Sequence, residues 1–298
     1  MSRFFGFGRS SGRFFSKLFV SCFLLLALPA ATVIAVAVTA TACAGDEGVT
    51  DAPPGTPAPG PARDTLHVRV SARHTIKTLD VFVYRDRPTK PLETHLRVEG
   101  SEVPEILSEK GDRIVAAVAN SPAEFNIAAL RSFDSIELLS MDYRIEDPAA
   151  PVMSGTLASA GNEPELTLTP LLCSIVLASV ENCLDTLAED VSVSLRQVNS
   201  KAEVFRSDGF RPVETVDAPE EAAHPEMMKA RLPCDVGCYA QYPGITLYAY
   251  PNDCEAVLGI PQTELVLDYS MNGTRRSMVV PVHPLRRGES APVRLRIK

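Results

Sequence analysis

The sequence predicts an all-β protein of sandwich or barrel architecture, with one or two short helices. From Thr65 onward about a dozen short apolar-alternating runs are separated by turn residues, and a period of two marks a half-buried strand. The connections are too short to place a helix after each strand, which disfavours a parallel α/β sheet. Runs such as Leu79-Asp-Val-Phe-Val-Tyr84 are rich in β-branched and aromatic residues, the types that fit a pleated surface.

The chain opens with an export signal. Arg3, Arg9, Arg13 and Lys17 form a basic, acid-free head. An apolar run of about 21 residues follows from Leu18 to Val38, closed by Thr39, Ala40, Thr41 and Ala42. Basic head, apolar middle and small-residue exit are the layout of a signal peptide. Cys43 directly after the exit resembles the lipid-accepting cysteine of a bacterial lipoprotein, which makes residues 1–42 the removable segment. The apolar run is also long enough to span a bilayer as an uncleaved anchor, and an ordinary cleaved signal is the third reading. All three export the body.

Residues 43–64 form a proline-rich tether, Asp51-Ala-Pro-Pro-Gly-Thr-Pro-Ala-Pro-Gly-Pro61 at its centre. With almost no large apolar group it reads as a semi-extended spacer. The strands expected beyond it are Leu66–Val70, Leu79–Tyr84, Leu92–Val98, Arg113–Ala119, Glu165–Thr169 and Leu172–Val180. Val191–Val198, Met228–Leu232, Ile245–Tyr250, Glu264–Tyr269, Ser277–Val282 and Val293–Ile297 complete the set. Ser121-Pro-Ala-Glu124 has the form of a capping box with proline at the first helical position, predicting a short helix over Phe125 to Leu130. Asn272-Gly273 between two alternating runs predicts a tight hairpin. The polar stretch Ala158–Glu165 marks a boundary between two β domains, 65–162 and 163–298. Residues 207–226 read as a long surface insertion.

The chain has 298 residues and a formal net charge of −8. Export cleavage would remove four basic and no acidic side chains, taking the charge to −12. Phosphate backbones demand clustered Lys and Arg, so no nucleic-acid partner is expected. Seven cysteines are present. Cys234, Cys238 and Cys254 are the densest group; a local disulfide among them is the favoured reading, ahead of buried thiols, and the spacing does not fit a zinc site. The five histidines are scattered and no Gly-x-Ser-x-Gly elbow occurs, so no catalytic residue, metal or cofactor is assigned and the chain is read as non-enzymatic.

Several phrases in order, Leu79-Asp-Val-Phe-Val-Tyr84, Arg113-Ile-Val-Ala-Ala-Val-Ala-Asn-Ser-Pro122, Pro151-Val-Met-Ser-Gly155 and Leu247-Tyr-Ala-Tyr-Pro-Asn252, resemble the fimbrillin superfamily of Bacteroides-type bacteria. The tether and Cys43 are most similar to its anchor or accessory lipoproteins. One strand departs: where relatives carry a basic residue, this chain reads Leu171-Leu-Cys-Ser174.

The resemblance implies two tandem transthyretin-like β-sandwiches on an outer-membrane or surface lipoprotein. It further implies assembly with other fimbrial subunits by strand exchange, in which a protease removes a first strand and a donated strand fills the groove. In this chain the removable strand would be Leu66–Val70, with Arg63 and Arg73 as candidate cut points. The candidate donor strand is Val293-Arg-Leu-Arg-Ile297, with Val293, Leu295 and Ile297 on one face. The rival functions are a surface glycan- or host-ligand-binding lipoprotein, for which Tyr239, Tyr242, Tyr248 and Tyr250 supply aromatic faces, and an exported hydrolase.

Overall fold

The computed structural model describes residues 62–241, 244–254 and 259–298. The export segment, Cys43 and all of the tether before residue 62 lie outside the described residues, as does Tyr242. The first half contains β1 (Arg63–Leu66), β2 (Arg69–Ala72), β3 (Thr78–Arg85), β4 (Leu92–Glu99), β5 (Ile106–Glu109) and β6 (Arg113–Ala119). A short helix α1 (Phe133–Glu137) precedes β7 (Ser140–Asp142), β8 (Met153–Ser159) and β9 (Glu165–Pro170). The second half contains β10 (Cys173–Asn182), β11 (Glu189–Arg196), β12 (Val198–Asn199), β13 (Lys201–Glu203), β14 (Thr215–Val216) and β15 (Lys229–Arg231). β16 (Tyr239–Gln241), β17 (Thr246–Ala249), β18 (Glu264–Met271), β19 (Thr274–Pro281) and β20 (Ser290–Ile297) complete it. The fold is an all-β sandwich.

Six strands form the first sheet in the order β2-β9-β8-β6-β3-β4. Its pairs are antiparallel except β2 with β9, which run parallel. Both faces of its centre are covered. Leu79, Val81 and Val83 of β3 enter one apolar cluster with Leu66, Val68 and Ile106, while Phe82 and Tyr84 enter a larger one shared with the second half. The alternation therefore distributes side chains between two cores rather than between core and water. This is why Arg113–Ala119 reads as a nearly continuous apolar run.

The second half contributes a sheet β15-β11-β18-β19 and another in which β10 pairs with β16 and β17 on one side and β20 on the other. Val193 and Leu195 of β11, Leu267 of β18 and Ile175 of β10 meet in the larger cluster. β9 lies past the sequence boundary at 162/163, yet it pairs with β2 and β8 of the first sheet. A second cross-link runs from β13 to β7.

Two expectations are corrected. The helix at Ser121–Leu130 does not form: Ser121 Oγ donates to the Ala123 carbonyl at 2.7 Å instead of capping a helical N–H. Only a single 3₁₀ turn, Ile127–Ala129, appears there. Aromatic packing dictates the path, with Phe125 edge-on to Phe82 at 5.7 Å and Phe133 of α1 edge-on to Tyr84 at 5.6 Å. The first strand is also broken, into β1 and β2, at His67 and Val68. The tight hairpin does form. Met271 pairs with Thr274, and Asn272 and Gly273 adopt φ of 50° and 72°, the left-handed values a type I′ turn requires at both positions. Among the described residues no helix is long and apolar enough to cross a membrane.

Candidate functional site

The two ends of the described chain form edge strands over apolar cores. At the N-terminal end, β1 pairs with β5 and β2 pairs with β9. Leu66 and Val68 at the break are buried against Leu79, Val81 and Leu168, with Val70 and Ala72 half-buried beside them. Arg63 and Arg73 flank this segment and are exposed. The loop before β9 holds it in place. His67 N–H donates to the Asn162 carbonyl at 2.7 Å, and Asn162 Nδ2 donates to Asp64 Oδ2 at 2.7 Å. That side-chain hydrogen bond holds the Asp64 carboxyl below its ordinary range. Arg69 adds exposed ion pairs to Glu163 and Glu165, each at 3.2 Å, which contribute little in water.

The wall behind this segment has attachments of its own. Arg85 of β3 is buried and contacts Glu93 of β4 at 3.1 Å and Glu109 of β5, so β5 is anchored to the first sheet through its own ion pairs. Asp80, also buried, takes His95 and Arg97 at 2.9 Å each and ties β3 to β4.

At the C-terminal end, β20 runs parallel to β10 in eight register pairs, with a bulge between Leu177 and Ser179. Its inward residues Ala291, Leu295 and Ile297 are buried and Val293 is half-buried, while Arg294 and Arg296 face water. Arg296 Nε reaches Glu181 Oε2 at 2.6 Å. The candidate donor residues thus sit in their own chain's sheet, β20 being its edge.

The remaining sequence-derived residues differ in exposure. Cys254 is buried, with Sγ 3.6 Å from the Phe210 carbonyl, while Cys234 and Cys238 are exposed. Tyr239 is exposed, Tyr248 half-buried and Tyr250 buried, so the tyrosines do not make one surface.

Sequence reasoning missed a polar cluster in the larger core. Glu146 is buried; it accepts the Val152 N–H at 2.6 Å and the Tyr250 hydroxyl at 2.5 Å. Burial pushes its carboxyl up to about 7, against the pull of those two hydrogen bonds. Tyr143 packs edge-on to Tyr250 at 5.4 Å and donates to the Tyr248 carbonyl at 2.7 Å. This cluster joins the 143–152 loop to the end of β17. Nothing in the Asp142-Tyr-Arg-Ile-Glu146 phrase distinguishes that carboxylate from a solvated one.

No family model matches the chain, and no curated protein matches it. Solved structures do. A candidate cell adhesion protein of Parabacteroides distasonis superposes with TM-score 0.58 at 10% identity, over 80% of this chain and 88% of that one. A second, from Bacteroides eggerthii, gives 0.52 at 16% identity over 79% and 86%. A fimbrilin of Porphyromonas gingivalis aligns at 0.48 and 15% identity over 74% and 81%. At such identities the likeness of the first two is one of fold.

Proposed function

We propose that this chain is a non-enzymatic cell-surface lipoprotein, an anchor or assembly subunit that joins a fimbrial polymer by β-strand complementation. The carrying observation is the pair of terminal edge strands, each with one apolar face seated in a core. An edge strand over an apolar groove is the geometry from which strand addition proceeds. The fold shared with candidate cell adhesion proteins supports the same reading. Lipid on Cys43 would hold the chain to the outer membrane, with residues 1–42 removed and the tether as spacer. A lipid-held subunit keeps its N-terminus uncut at Arg63 and Arg73, because either cut would release it. Its own first strand then fills its groove, and β20, through Val293, Leu295 and Ile297, is the strand offered to a neighbouring subunit. The body divides into two sandwich halves, and the pairing of β9 with β8 favours a join after Pro170 rather than after residue 162. A disulfide among Cys234, Cys238 and Cys254 belongs to the same proposal.

The test is to shear fimbriae from cells expressing the chain and to measure the mature N-terminus by mass spectrometry. The expected result is co-purification with polymer and an N-terminal peptide starting at a lipid-bearing Cys43. Absence from every polymer would overturn the assembly role, and an intact Met1 would overturn the lipid.

A further inference from the structure

Strands β8 and β9 floor an open cleft of about 430 Å³. Three arginines line it, Arg206, Arg286 and Arg287, together with the threonines Thr156 and Thr169 and the half-buried ring of Phe205. No carboxylate is among its lining residues, in a chain whose formal charge is −8. Bare backbone makes the floor, since a Cβ on Gly155 would lie 2.7 Å from the Thr167 carbonyl oxygen.

Arg287 organises the cleft. Its Nη1 donates to the Val204 carbonyl at 2.6 Å, and its Nη2 to the Thr169 carbonyl at 2.6 Å and to Ser154 Oγ at 2.9 Å. One guanidinium thus ties β8, β9 and the segment after β13 together. Among the described residues its Nε–H has no hydrogen-bond partner and no carboxylate pairs with it. Burial draws its pKa down to about 10, so it remains a cation at neutral pH. A partly desolvated charge satisfied by carbonyl dipoles and one hydroxyl lacks the counter-charge such groups ordinarily carry.

The other two arginines stand exposed at the rim. Arg206 is partly offset, its Nη1 meeting Glu203 at 2.7 Å while the guanidinium lies over Phe210 at 5.9 Å. Arg286 makes no side-chain ion pair among the described residues; its backbone is engaged, the N–H donating to the Glu289 carboxylate at 2.9 Å and the carbonyl accepting from the Cys173 thiol at 2.9 Å and the Glu289 N–H at 3.0 Å. Glu203 and Glu289, the acids bonded to these two arginines, do not line the cleft.

We propose that this cleft binds a carboxylated or sulfated saccharide, with the oxyanion on Arg286 and Arg206 above Arg287. Guanidinium forks match carboxylate and sulfate oxygens. The volume falls in the range of small-molecule sites and exceeds what a lone oxyanion fills. Threonine hydroxyls both donate and accept, as a hydroxylated ligand requires, and the Phe205 ring offers an apolar surface to a sugar face. This reading does not depend on strand exchange.

The test is calorimetric titration of the full-length chain in a neutral detergent. The probes are a heparin-derived tetrasaccharide, a galacturonate tetramer, neutral maltotetraose and sodium sulfate. Arg206 and Arg286 are exposed, so the double variant Arg206→Ala/Arg286→Ala should keep the parent Tm. At least one acidic oligosaccharide is expected to bind, maltotetraose is not, and the double variant should weaken binding by about tenfold or more. Rising salt should weaken it too. The proposal falls if neither acidic oligosaccharide binds, if the double variant binds as well as the parent, or if sodium sulfate alone binds as tightly as the oligosaccharides.

Discussion

The first and last strand segments of the body bury similar amounts of apolar side chain but are paired in different ways. Leu66 and Val68 at one end, and Leu295 and Ile297 at the other, are buried almost completely. Each pair contributes roughly 3–6 kcal/mol by side-chain burial. The first segment, however, divides its pairing between two separate strands, four pairs to β5 and four to β9. β20 instead runs along a single partner, β10, for eight pairs. Both β5 and β9 have other attachments, β5 through Arg85–Glu109 and β9 through β8. Losing β20 strips one whole edge of β10. Equal hydrophobic anchoring can therefore go with unequal consequences, because the pairing topology decides whether the neighbours survive.

The largest expected effect breaks this comparison directly. A chain ending at Glu289 lacks β20 and loses the burial of Leu295 and Ile297 together with the β10 edge. That loss rivals the 5–15 kcal/mol that typically stabilises a whole domain. Circular dichroism on heating should show no cooperative transition from the second half. A body beginning at His74, without β1 and β2, should still unfold cooperatively, at a lower Tm. If instead the body without β1 and β2 collapses and the chain ending at Glu289 melts like the parent, the asymmetry is refuted.

The seam between the two regions supplies the next effect, and it is pH-dependent. Glu146, in the loop after β7, is bonded to Tyr250 at the end of β17, and its carboxyl is raised from 4.5 to about 7 in the folded chain. The folded state therefore holds a proton that the unfolded state releases between those values. Stability from this group is fully present below about pH 4.5 and is lost as pH rises toward 7, a total of roughly 3 kcal/mol. Glu146→Gln keeps polar partners for the Val152 N–H and the Tyr250 hydroxyl while abolishing the titration. Urea unfolding from pH 4.5 to 8 should show the parent losing stability relative to the variant as pH rises. Parallel pH profiles for the two proteins would remove Glu146 as the seam's titrating group.

Most of the sheet was legible in the sequence, because strand periodicity is a local signal. Arg113–Ala119 emerges with its expected ends, and Glu264 opens β18 as read. β8 escaped notice because its alternation fades after Gly155 into Thr156, Leu157, Ala158 and Ser159; its place is set by long-range pairing to β6 and β9. The helix expected after Ser121 failed for a related reason: packing of Phe125 on Phe82 overrode a favourable local cap. The seam and the arginine cleft were invisible because their partners lie about a hundred residues apart, Tyr250 with Glu146 and Arg287 with Ser154. The adjacent arginines at 286 and 287 were the one available hint, and two neighbouring cations usually mean a solvated turn.

A third edge strand provides the smallest effect and isolates the role of sequence distance. β19 also lies at a sheet edge, yet its pairing to β18 is local, closed by the two-residue turn at Asn272 and Gly273. Arg275 and Arg276 on it are exposed, a charge pattern that discourages further strand addition. Because the loop is so short, zipping this pair costs little closure entropy, unlike β20, whose partner lies more than a hundred residues upstream. Weakening the turn should therefore cost only its own backbone strain. Gly273 sits at φ 72° with open space where a Cβ would lie, so Gly273→Ala adds no clash and only the left-handed penalty of about 1 kcal/mol. The variant should melt a few degrees below the parent in a single transition. A loss as large as that from removing β20 would mean that this hairpin, rather than the long-range β10–β20 pair, holds the second region together.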